Sequence, residues 1–236
     1  MYHRARAGPH GNAAEMLDAH FRHVASHCHT VLPGERLSAE RRNVCLSFDD
    51  GYFDFFATVF PLLEKHDLRA VLALPPALLR DAVDGDRASR LALESGDAFS
   101  QPDRGGFCTW GEVAALVKSG RVVIAAHGLT HVRLDGPDVD LDREVDSPGA
   151  RIETALGCPV DSFVFPFGRF SVRSLARAKA RYRHVFRIGG ALNRGWDGRV
   201  LYRVDADGMT APQALFAPAR LVRYRARYFW NQLRRR

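Results

Sequence analysis

The sequence predicts an α/β fold built on a parallel sheet or barrel. Short apolar segments typical of buried strands alternate along the chain with segments of helical pattern. Three of the predicted strands end in polar or glycine-containing motifs, which is where parallel folds place their chemistry. The chain has 236 residues and no internal repeat or low-complexity segment, so it can bury one sizeable core in a single main domain.

The first predicted elements of the sheet lie between residues 44 and 109. The apolar run 44–48 predicts a buried strand. Residues 55–66 predict a helix in which Pro61 marks a boundary or kink, because proline has no backbone N–H to donate. Residues 69–74 predict the next strand, which ends at two prolines. Residues 75–109 are rich in Asp, Gly and Arg, so we expect a surface excursion that forms a lid or wall over a site.

The alternation continues through the second half of the chain. Residues 110–119 predict a helix that ends before Gly120, and residues 121–126 predict a strand that ends at His127. The following elements are a helix over 140–156, a strand over 162–165, a helix over 171–181, and strands over 184–188 and 199–204. A Pro-Gly pair beginning at Pro148 interrupts the first of these helices.

The excess positive charge is confined to the C-terminal end. The chain carries 34 basic and 27 acidic side chains, a net charge of +7, and no acidic residue follows Asp207. Seven arginines beyond Asp207 account for the whole excess, so residues 1–207 sum to zero. A neutral body argues against a nucleic-acid-binding protein, which needs a basic stripe on its folded surface. We divide the chain into a main domain over 1–211 and a basic helical tail over 212–236.

The basic tail is predicted to form an amphipathic helix. Val222, Ala226, Phe229 and Leu233 recur at spacings of four, three and four, and arginines occupy much of the remainder. Two interpretations of this pattern stay open. Either the apolar stripe packs on the main domain and the arginines are exposed, or the helix lies on a membrane surface with Trp230 near the interface.

Segments that would direct the chain to or through a membrane are not visible. The longest apolar stretch, 70–79, contains Pro75 and Pro76 and is far shorter than the roughly 20 residues of a spanning helix. The first residues carry charge without an apolar core behind them, so no signal peptide is visible. The four cysteines are widely spaced without a Cys-x-x-Cys pair, which favours reduced thiols. These observations predict a cytoplasmic protein whose tail could add peripheral membrane contact.

Two adjacent carboxylates follow the first buried strand. Asp49 and Asp50 point in different directions, because successive side chains of a strand alternate, so they can take different roles. Gly51 permits a tight turn directly after them. The same string is also common as a plain turn, so by itself it says little about function.

Two histidines follow a later strand in the string His127-Gly-Leu-Thr-His131. Imidazoles four residues apart share a face, and with a carboxylate they form a ligand set typical of zinc and similar divalent metals. The alternative is that both are surface histidines. That alternative is weakened because His127 ends an apolar strand, where a polar side chain costs free energy unless it has a partner. His20, His23 and His27 also have helical spacing, but no strand-end carboxylate accompanies them, and we interpret them as a solvated helix face.

Taken together, these motifs resemble those of the NodB-type polysaccharide deacetylases, carbohydrate esterase family four. The segment Ser47-Phe-Asp-Asp-Gly-Tyr52 resembles the first motif of that family, His127 to His131 its second, and Phe165-Pro-Phe-Gly168 a variant of its third. The resemblance spans roughly residues 1–205 and implies a distorted, incomplete (β/α) barrel. The opening Tyr2-His3 resembles the Tyr-His of the poly-N-acetylglucosamine deacetylase branch. For the chain as a whole, the deacetylases of O-antigen or capsule biosynthesis are the other group that it resembles.

The resemblance implies a role for each motif residue. Asp50, His127 and His131 would bind a divalent metal, usually zinc, with nickel, cobalt or manganese as alternatives. Asp49 would be the general base for the attacking water. The backbone N–H of Phe167 would meet the tetrahedral oxyanion together with the metal.

Two further residues are candidates for substrate binding. Gly168 belongs to the same third motif as the oxyanion donor. Trp196 lies beside Gly195 on a predicted loop, and sugar sites use aromatic faces, so we expect it to form a wall of the cleft.

The sequence departs from the family pattern at two catalytic positions. Position 164 is Val where the family has the arginine that pairs with the base, so that partner is predicted to be missing. The late Leu-x-x-His that supplies the general acid is absent as well. In the branch with an N-terminal Tyr-His the early histidine is the acid, which makes His3 the candidate, and a frayed terminus is the alternative.

We therefore expect a metal-dependent enzyme that removes the N-acetyl group of an amino sugar in a surface polysaccharide or its precursor. Its partner would be an N-acetylated glycan or a nucleotide- or lipid-linked glycan precursor, and no nucleic acid. Two alternatives stay open: a non-catalytic NodB-like carbohydrate-binding domain, and a metal-dependent O-acetyl esterase.

Overall fold

A computed structural model describes residues 1–8, 10–197 and 200–233. Its strands are Cys28–Thr30 (β1), Arg42–Val44 (β2), Leu46–Phe48 (β3), Ala70–Leu74 (β4), Val122–Ala126 (β5), Ser162–Val164 (β6), His184–Ile188 (β7) and Leu201–Arg203 (β8). Its α-helices are Ala14–His27 (α1), Phe60–Lys65 (α2), Arg87–Ala92 (α3), Ser95–Ser100 (α4), Trp110–Lys118 (α5), Ser147–Leu156 (α6), Val172–Arg181 (α7) and Pro218–Leu233 (α8).

Strands β3 to β8 form one parallel sheet in sequence order, and β1 pairs with β2 in a separate parallel pair. The first residues of the chain lie in the seam between the two edge strands of this sheet. The Tyr2 N–H donates to the Ser47 carbonyl on the β3 side at 2.9 Å, and the Met1 ammonium donates to the Val204 carbonyl after β8 at 2.6 Å. The sheet therefore curls into the distorted, incomplete (β/α) barrel that the motifs implied, and the predicted fold class is confirmed.

The strands are apolar on both faces, because each face of the sheet is covered. On β4, Leu72 and Leu74 pack with the helices in the larger apolar cluster, whereas Val71 and Ala73 belong to a second cluster inside the barrel. Strands buried on both faces form continuous apolar runs instead of alternating ones. This is why the sequence shows β4 and β5 as unbroken apolar segments.

The two prolines within predicted helices mark a change of helix type. Phe55–Val59 forms a π-helical turn that leads into α2 with Pro61 in the first α-helical turn. Asp142–Asp146 likewise forms a π-helical turn before α6, where Pro148 occupies the first turn. Proline is tolerated there because its missing N–H falls among the donors that a first turn leaves unused.

The predicted surface excursion over 75–109 carries α3 and α4 and folds back over the carboxyl end of the sheet. Its Ala98 and Phe107 are buried together with Tyr52, which follows β3. Phe99 stacks on the ring of His131 with the ring centroids 4.9 Å apart. The excursion thus forms a wall beside one of the predicted metal ligands, as expected from its position in the sequence.

The predicted C-terminal helix is present as α8, but it packs differently from the first interpretation of its pattern. The predicted stripe is exposed: Val222, Phe229 and Leu233 have 65%, 52% and 79% of their surface accessible. Tyr224, on the opposite side, is the buried residue of α8. The prediction that the stripe packs on the main domain is therefore wrong, and Arg234–Arg236 lie outside the described residues. No helix among the described residues is long and apolar enough to cross a membrane.

Candidate active site

The ends of two strands, β3 and β5, bring the predicted metal ligands together at the carboxyl edge of the sheet. In register, Phe48 of β3 pairs with Leu72 of β4, and Leu74 at the end of β4 pairs with Ala126 of β5. Asp49 and Asp50 follow β3 directly, and His127 follows β5. Parallel register thus places residues from separate parts of the chain at one edge.

Asp50, His127 and His131 form a compact group of potential metal ligands. Asp50 Oδ1 lies 3.4 Å from His127 Nε2 and 3.2 Å from His131 Nε2, and the three ligand atoms lie within 4.8 Å of one another. Asp50 Oδ1 is buried and accepts no hydrogen bond among the described residues. A buried carboxylate oxygen without a donor is costly, and a cation bound between it and the two imidazoles would remove that cost.

The tautomer of His127 strengthens this interpretation. Its Nδ1 lies 2.8 Å from the Val164 carbonyl, which can only accept, so Nδ1 carries the proton. In the neutral ring Nε2 then presents a lone pair toward the Asp50 oxygen, and two lone pairs facing each other need a cation between them. The donor set therefore fits a divalent metal, with His127 oriented by its second nitrogen.

The electrostatics of the other two ligands point the same way. Burial lowers the pKa of His131 to about 4, against the opposing effect of Asp50, so this ring is neutral near pH 7. Burial raises the pKa of Asp50, but His127 and His131 outweigh it and lower the pKa below its usual value. A carboxylate and neutral imidazoles are the protonation states in which these groups bind metals.

Backbone strain is concentrated at the same edge. Asp50, His131 and Phe167 have φ values of 72°, 60° and 57°, in the left-handed region that most side chains avoid. Gly51 follows at φ 71°, where an added Cβ would meet Leu74 Cδ2 at 2.4 Å. The motif therefore requires glycine at this position for two reasons, the conformation and the close packing on β4.

Glu144 holds the loop between the two histidine ligands. Its buried carboxylate accepts hydrogen bonds from the backbone N–H groups of Leu129 and Thr130 at 3.0 and 3.1 Å, and from the Thr130 hydroxyl at 2.8 Å. Three donors from one short loop fix its path, and with it the direction of His131. Nothing in the sequence pattern singled out Glu144, which lies in the π-helical turn before α6.

Asp49, the predicted base, has the arginine partner that the sequence predicted to be missing. Arg203 on β8 donates to both carboxylate oxygens, from Nη1 to Oδ1 at 2.5 Å and from Nη2 to Oδ2 at 2.8 Å. Burial raises the pKa of Asp49, but the Arg203 guanidinium, with His127, holds that pKa well below its usual range. Position 164 is indeed Val, yet the prediction of an unpaired base is wrong, because barrel closure brings β8 beside β3.

His3, the predicted acid, is held beside Asp49 by a second carboxylate. Its Nδ1 donates to Asp207 Oδ2 at 2.5 Å, and its backbone N–H donates to Asp207 Oδ1 at 3.2 Å. Its Nε2 lies 3.9 Å from Asp49 Oδ2. Burial lowers the pKa of His3, but the hydrogen bond to Asp207, with the charges of Asp49 and Asp50, raises it to about 9.

The N-terminal segment that carries His3 is anchored on both sides, so the alternative of a frayed terminus does not describe it. Tyr2 is buried, and its hydroxyl lies 2.7 Å from His20 Nε2 on α1. Arg4 is buried and pairs with Asp54 at 2.6 Å. His20 is accordingly part of the core, and the prediction that it lies on a solvated face is wrong.

The third motif lies on the other side of His131. Pro166–Gly168 forms a short 3-10 turn after β6, and the exposed ring of Phe167 lies 4.6 Å from the His131 ring, centroid to centroid. Gly168 is buried, and a Cβ there would meet Ile188 at 3.2 Å. Both residues line the edge of the sheet that holds the metal ligands, and the oxyanion role of the Phe167 N–H stays a prediction.

Trp196, the predicted wall of the cleft, lies elsewhere. Its indole N–H donates to the Glu35 carbonyl at 2.8 Å. Its ring lies edge-on against the ring of His184, the first residue of β7, with the ring centroids 5.7 Å apart. It packs against the cluster inside the barrel, as does Val123 near the amino end of β5. The prediction for Trp196 is therefore wrong: its loop returns to the amino ends of the strands, away from the metal ligands.

The comparison with known families now identifies the fold. A sequence profile described as polysaccharide deacetylase matches residues 36–184. The chain belongs to the polysaccharide deacetylase family. The predicted family and the predicted enzyme class are thereby confirmed. No curated protein matches the sequence.

Solved structures show the same fold for this family member. A de-N-acetylase from Aggregatibacter actinomycetemcomitans is 20% identical with a TM-score of 0.70, covering 89% of this chain and 94% of its own. IcaB from Ammonifex degensii is 16% identical with a TM-score of 0.71, covering 88% and 90%. Streptococcus pyogenes deacetylase PplD, in complex with acetate, is 18% identical with a TM-score of 0.71, covering 92% and 94%. The shared architecture extends over nearly the whole chain.

Proposed function

We propose that this family member hydrolyses the N-acetyl group of an amino sugar in a surface polysaccharide or its precursor. One observation carries the proposal: Asp49 Oδ2 lies 4.0 Å from His127 Nε2 of the metal-ligand group and 3.9 Å from His3 Nε2. A base, an acid and a cation-binding group therefore surround one small space. Each of the first two is oriented by its own buried partner, Arg203 or Asp207.

The proposed reaction divides the work between these residues. Asp50, His127 and His131 would hold a divalent metal, whose Lewis acidity lowers the pKa of water and polarises a carbonyl group. Asp49, ionised because Arg203 lowers its pKa, takes a proton from the water that attacks the acetyl carbon. The backbone N–H of Phe167 is the proposed donor to the oxyanion.

His3 completes the proposed reaction. Asp207 accepts from Nδ1, which leaves Nε2 of the protonated ring directed toward Asp49 and the reacting atoms. As the carbon–nitrogen bond breaks, Nε2 donates its proton to the departing amine, and acetate and the free amino sugar are released. A pKa of about 9 keeps His3 protonated at neutral pH, as a general acid requires.

The catalytic proposal is favoured over a non-catalytic carbohydrate-binding domain by the Arg203–Asp49 pair. A binding domain has no need of a buried carboxylate that is held ionised next to a metal-ligand group. The absence of the motif arginine and of the late histidine favours a binding domain, but Arg203 supplies the arginine partner from another strand.

The test is acetate release from a panel of N-acetylated oligosaccharides, with O-acetylated sugars included. We expect release from at least one N-acetylated substrate, loss of activity in Asp49→Asn with metal affinity kept, and loss of metal affinity in Asp50→Ala and His131→Ala. His27→Ala, on the exposed face of α1, is the matched histidine control. Absence of stoichiometric metal would contradict the proposal. Metal binding without N-acetyl hydrolysis favours a binding domain, and release from O-acetyl sugars alone favours an esterase.

A further inference from the structure

The tail helix α8 presents its apolar face to solvent instead of to the protein. Four residues of α8 are buried or half-buried, and they recur along one side of the helix. They are Leu221, Tyr224, Tyr228 and Asn231. The apolar residues Val222, Phe229 and Leu233 lie on the opposite side, with Trp230 beside them at 53% exposure. An amphipathic helix usually buries such an apolar stripe, so its exposure here is unusual.

Defined contacts hold α8 in this orientation. The Leu192 N–H donates to the Tyr224 carbonyl at 3.3 Å, and Asn231 Nδ2 donates to the Gly189 carbonyl at 3.3 Å. The ring of Tyr228 lies edge-on against Tyr202 of β8, with centroids 6.2 Å apart. The side of the helix that carries Leu221, Tyr224, Tyr228 and Asn231 is therefore held against the barrel, and the stripe of Val222, Phe229 and Leu233 is left facing outward.

The charge around this face restricts what can cover it. Arg220, Arg223, Arg225 and Arg227 are all exposed, and no acidic residue follows Asp207 in the chain. A second copy of the same face would bring these like charges together, which opposes self-association. Nucleic acid would pair with the arginines but leave the aliphatic and aromatic side chains in water.

We propose that α8 is an interfacial helix that binds an anionic lipid bilayer through Val222, Phe229, Trp230 and Leu233. Its arginines would pair with anionic headgroups while the apolar side chains enter the boundary between headgroups and acyl chains. A helix with one apolar face, flanking arginines and aromatic residues is suited to that boundary.

The position of α8 gives such binding a consequence for the active site. Asn231 contacts Gly189, which directly follows the carboxyl end of β7, and that edge of the sheet also carries the metal-ligand group. Phe167, 55% exposed, lies on the same edge. Membrane binding through α8 would therefore bring the Asn231 end of the helix, and with it the carboxyl end of β7, near the bilayer. This consequence rests on the proposed function, for which a lipid-linked glycan at the bilayer would be a substrate.

Vesicle co-sedimentation of the full chain tests the proposal without any assay of catalysis. We expect binding to phosphatidylcholine vesicles that contain phosphatidylglycerol, and at least about tenfold weaker binding to phosphatidylcholine alone. The double variant Val222→Ser, Leu233→Ser should lose about tenfold or more, because each large aliphatic side chain that leaves water contributes roughly that factor. Val172→Ser, which changes a valine on α7 that is 76% exposed, should bind like wild type.

Two further measurements separate insertion from simple charge attraction. Trp230 fluorescence, obtained as the difference between wild type and Trp230→Phe, should shift to shorter wavelength and be quenched by brominated lipid. Arg223→Gln, Arg225→Gln should remove the preference for anionic vesicles. The proposal is overturned if wild type does not bind anionic vesicles, or if the serine variant binds as wild type does. It is also overturned if light scattering shows a dimer that the serine variant dissociates. None of these outcomes bears on the metal site.

Discussion

The guanidinium of Arg203 on the last strand holds both carboxylate oxygens of Asp49, 154 positions earlier at the end of β3. The pair is buried, and Arg203 Nη1 also lies 3.3 Å from the Ser47 hydroxyl. The partner of the proposed base thus comes from the strand that closes the barrel. Formation of the complete site depends on that closure.

Replacing Arg203 should impair the base and leave the metal group intact. Arg203→Lys keeps the charge but loses the two parallel hydrogen bonds, so the pKa of Asp49 should rise. We expect kcat/KM to fall by about 10–10² and its acidic limb to move to higher pH, with metal affinity by calorimetry unchanged. Arg121→Lys, in an exposed pair with Asp67, is the control. An unchanged acidic limb would show that Arg203 does not set the ionisation of the base.

Replacing Asp207 should move the alkaline limb of the rate profile. With Asp207 in place the pKa of His3 is about 9, so activity should fall as pH rises through that value. Burial lowers the pKa of His3, and the carboxylate of Asp207 is the main group that raises it. Asp207→Asn removes that carboxylate, so we expect the alkaline limb to shift by about one unit or more toward lower pH. Asp205→Asn, exposed two residues earlier, is the control. A profile that stays in place would remove His3 as the acid.

The same pair predicts the direction of a stability change with pH. The folded-state pKa of His3 lies above its ordinary value, so protonated His3 stabilises the fold. This contribution is complete below about pH 6.5 and is lost as pH rises through about 9. Urea unfolding across this range should show a smaller pH dependence in Asp207→Asn than in wild type.

Replacing Glu144 should weaken metal binding, although Glu144 touches no metal ligand atom. Glu144→Gln loses one acceptor oxygen of the three-donor contact with the ligand loop, and we expect metal affinity to fall about 10–100-fold. Glu144→Ala should lose more, and that order distinguishes positioning from general destabilisation. Asp142→Asn, exposed in the same turn, should bind metal like wild type. Equal affinity in all variants would contradict this role.

Replacing Gly51 should destabilise the fold more than replacing a glycine of equal conformation in open space. Gly51 and Gly120 have φ values of 71° and 72°, but an added Cβ meets Leu74 only at Gly51 and nothing within 4 Å at Gly120. Gly120→Ala should cost about 1–2 kcal/mol of unfolding free energy from strain. Gly51→Ala should cost about 1–3 kcal/mol more from overpacking, measured by chemical denaturation. Equal losses would mean that Leu74 moves aside.

Local patterns in the sequence determined much of the fold and the metal group. Continuous apolar runs ending in Asp49-Asp50-Gly51 and in His127 marked the parallel strands and the edge that carries the chemistry. Those signals are short-range: the period of the apolar residues, the turn preference of glycine, and the spacing of two imidazoles. The interruptions at Pro61 and Pro148 could be predicted for the same reason, because proline affects the helical turn in which it lies.

Tertiary structure alone decided the partners that come from distant strands and the orientation of the helices. Arg203 reaches Asp49 only because β8 closes the barrel against the N-terminal segment and β3, and Asp207 reaches His3 in the same way. No local period in the sequence encodes such contacts. The prediction for Trp196 and the packed interpretation of the α8 stripe are wrong for a related reason. An aromatic residue or an apolar stripe shows that a surface is available, whereas the packing of neighbouring elements decides which surface it covers. The sequence by itself therefore determined the chemistry of the candidate metal ligands, and barrel closure decided how the proposed base Asp49 and the proposed acid His3 are held beside them.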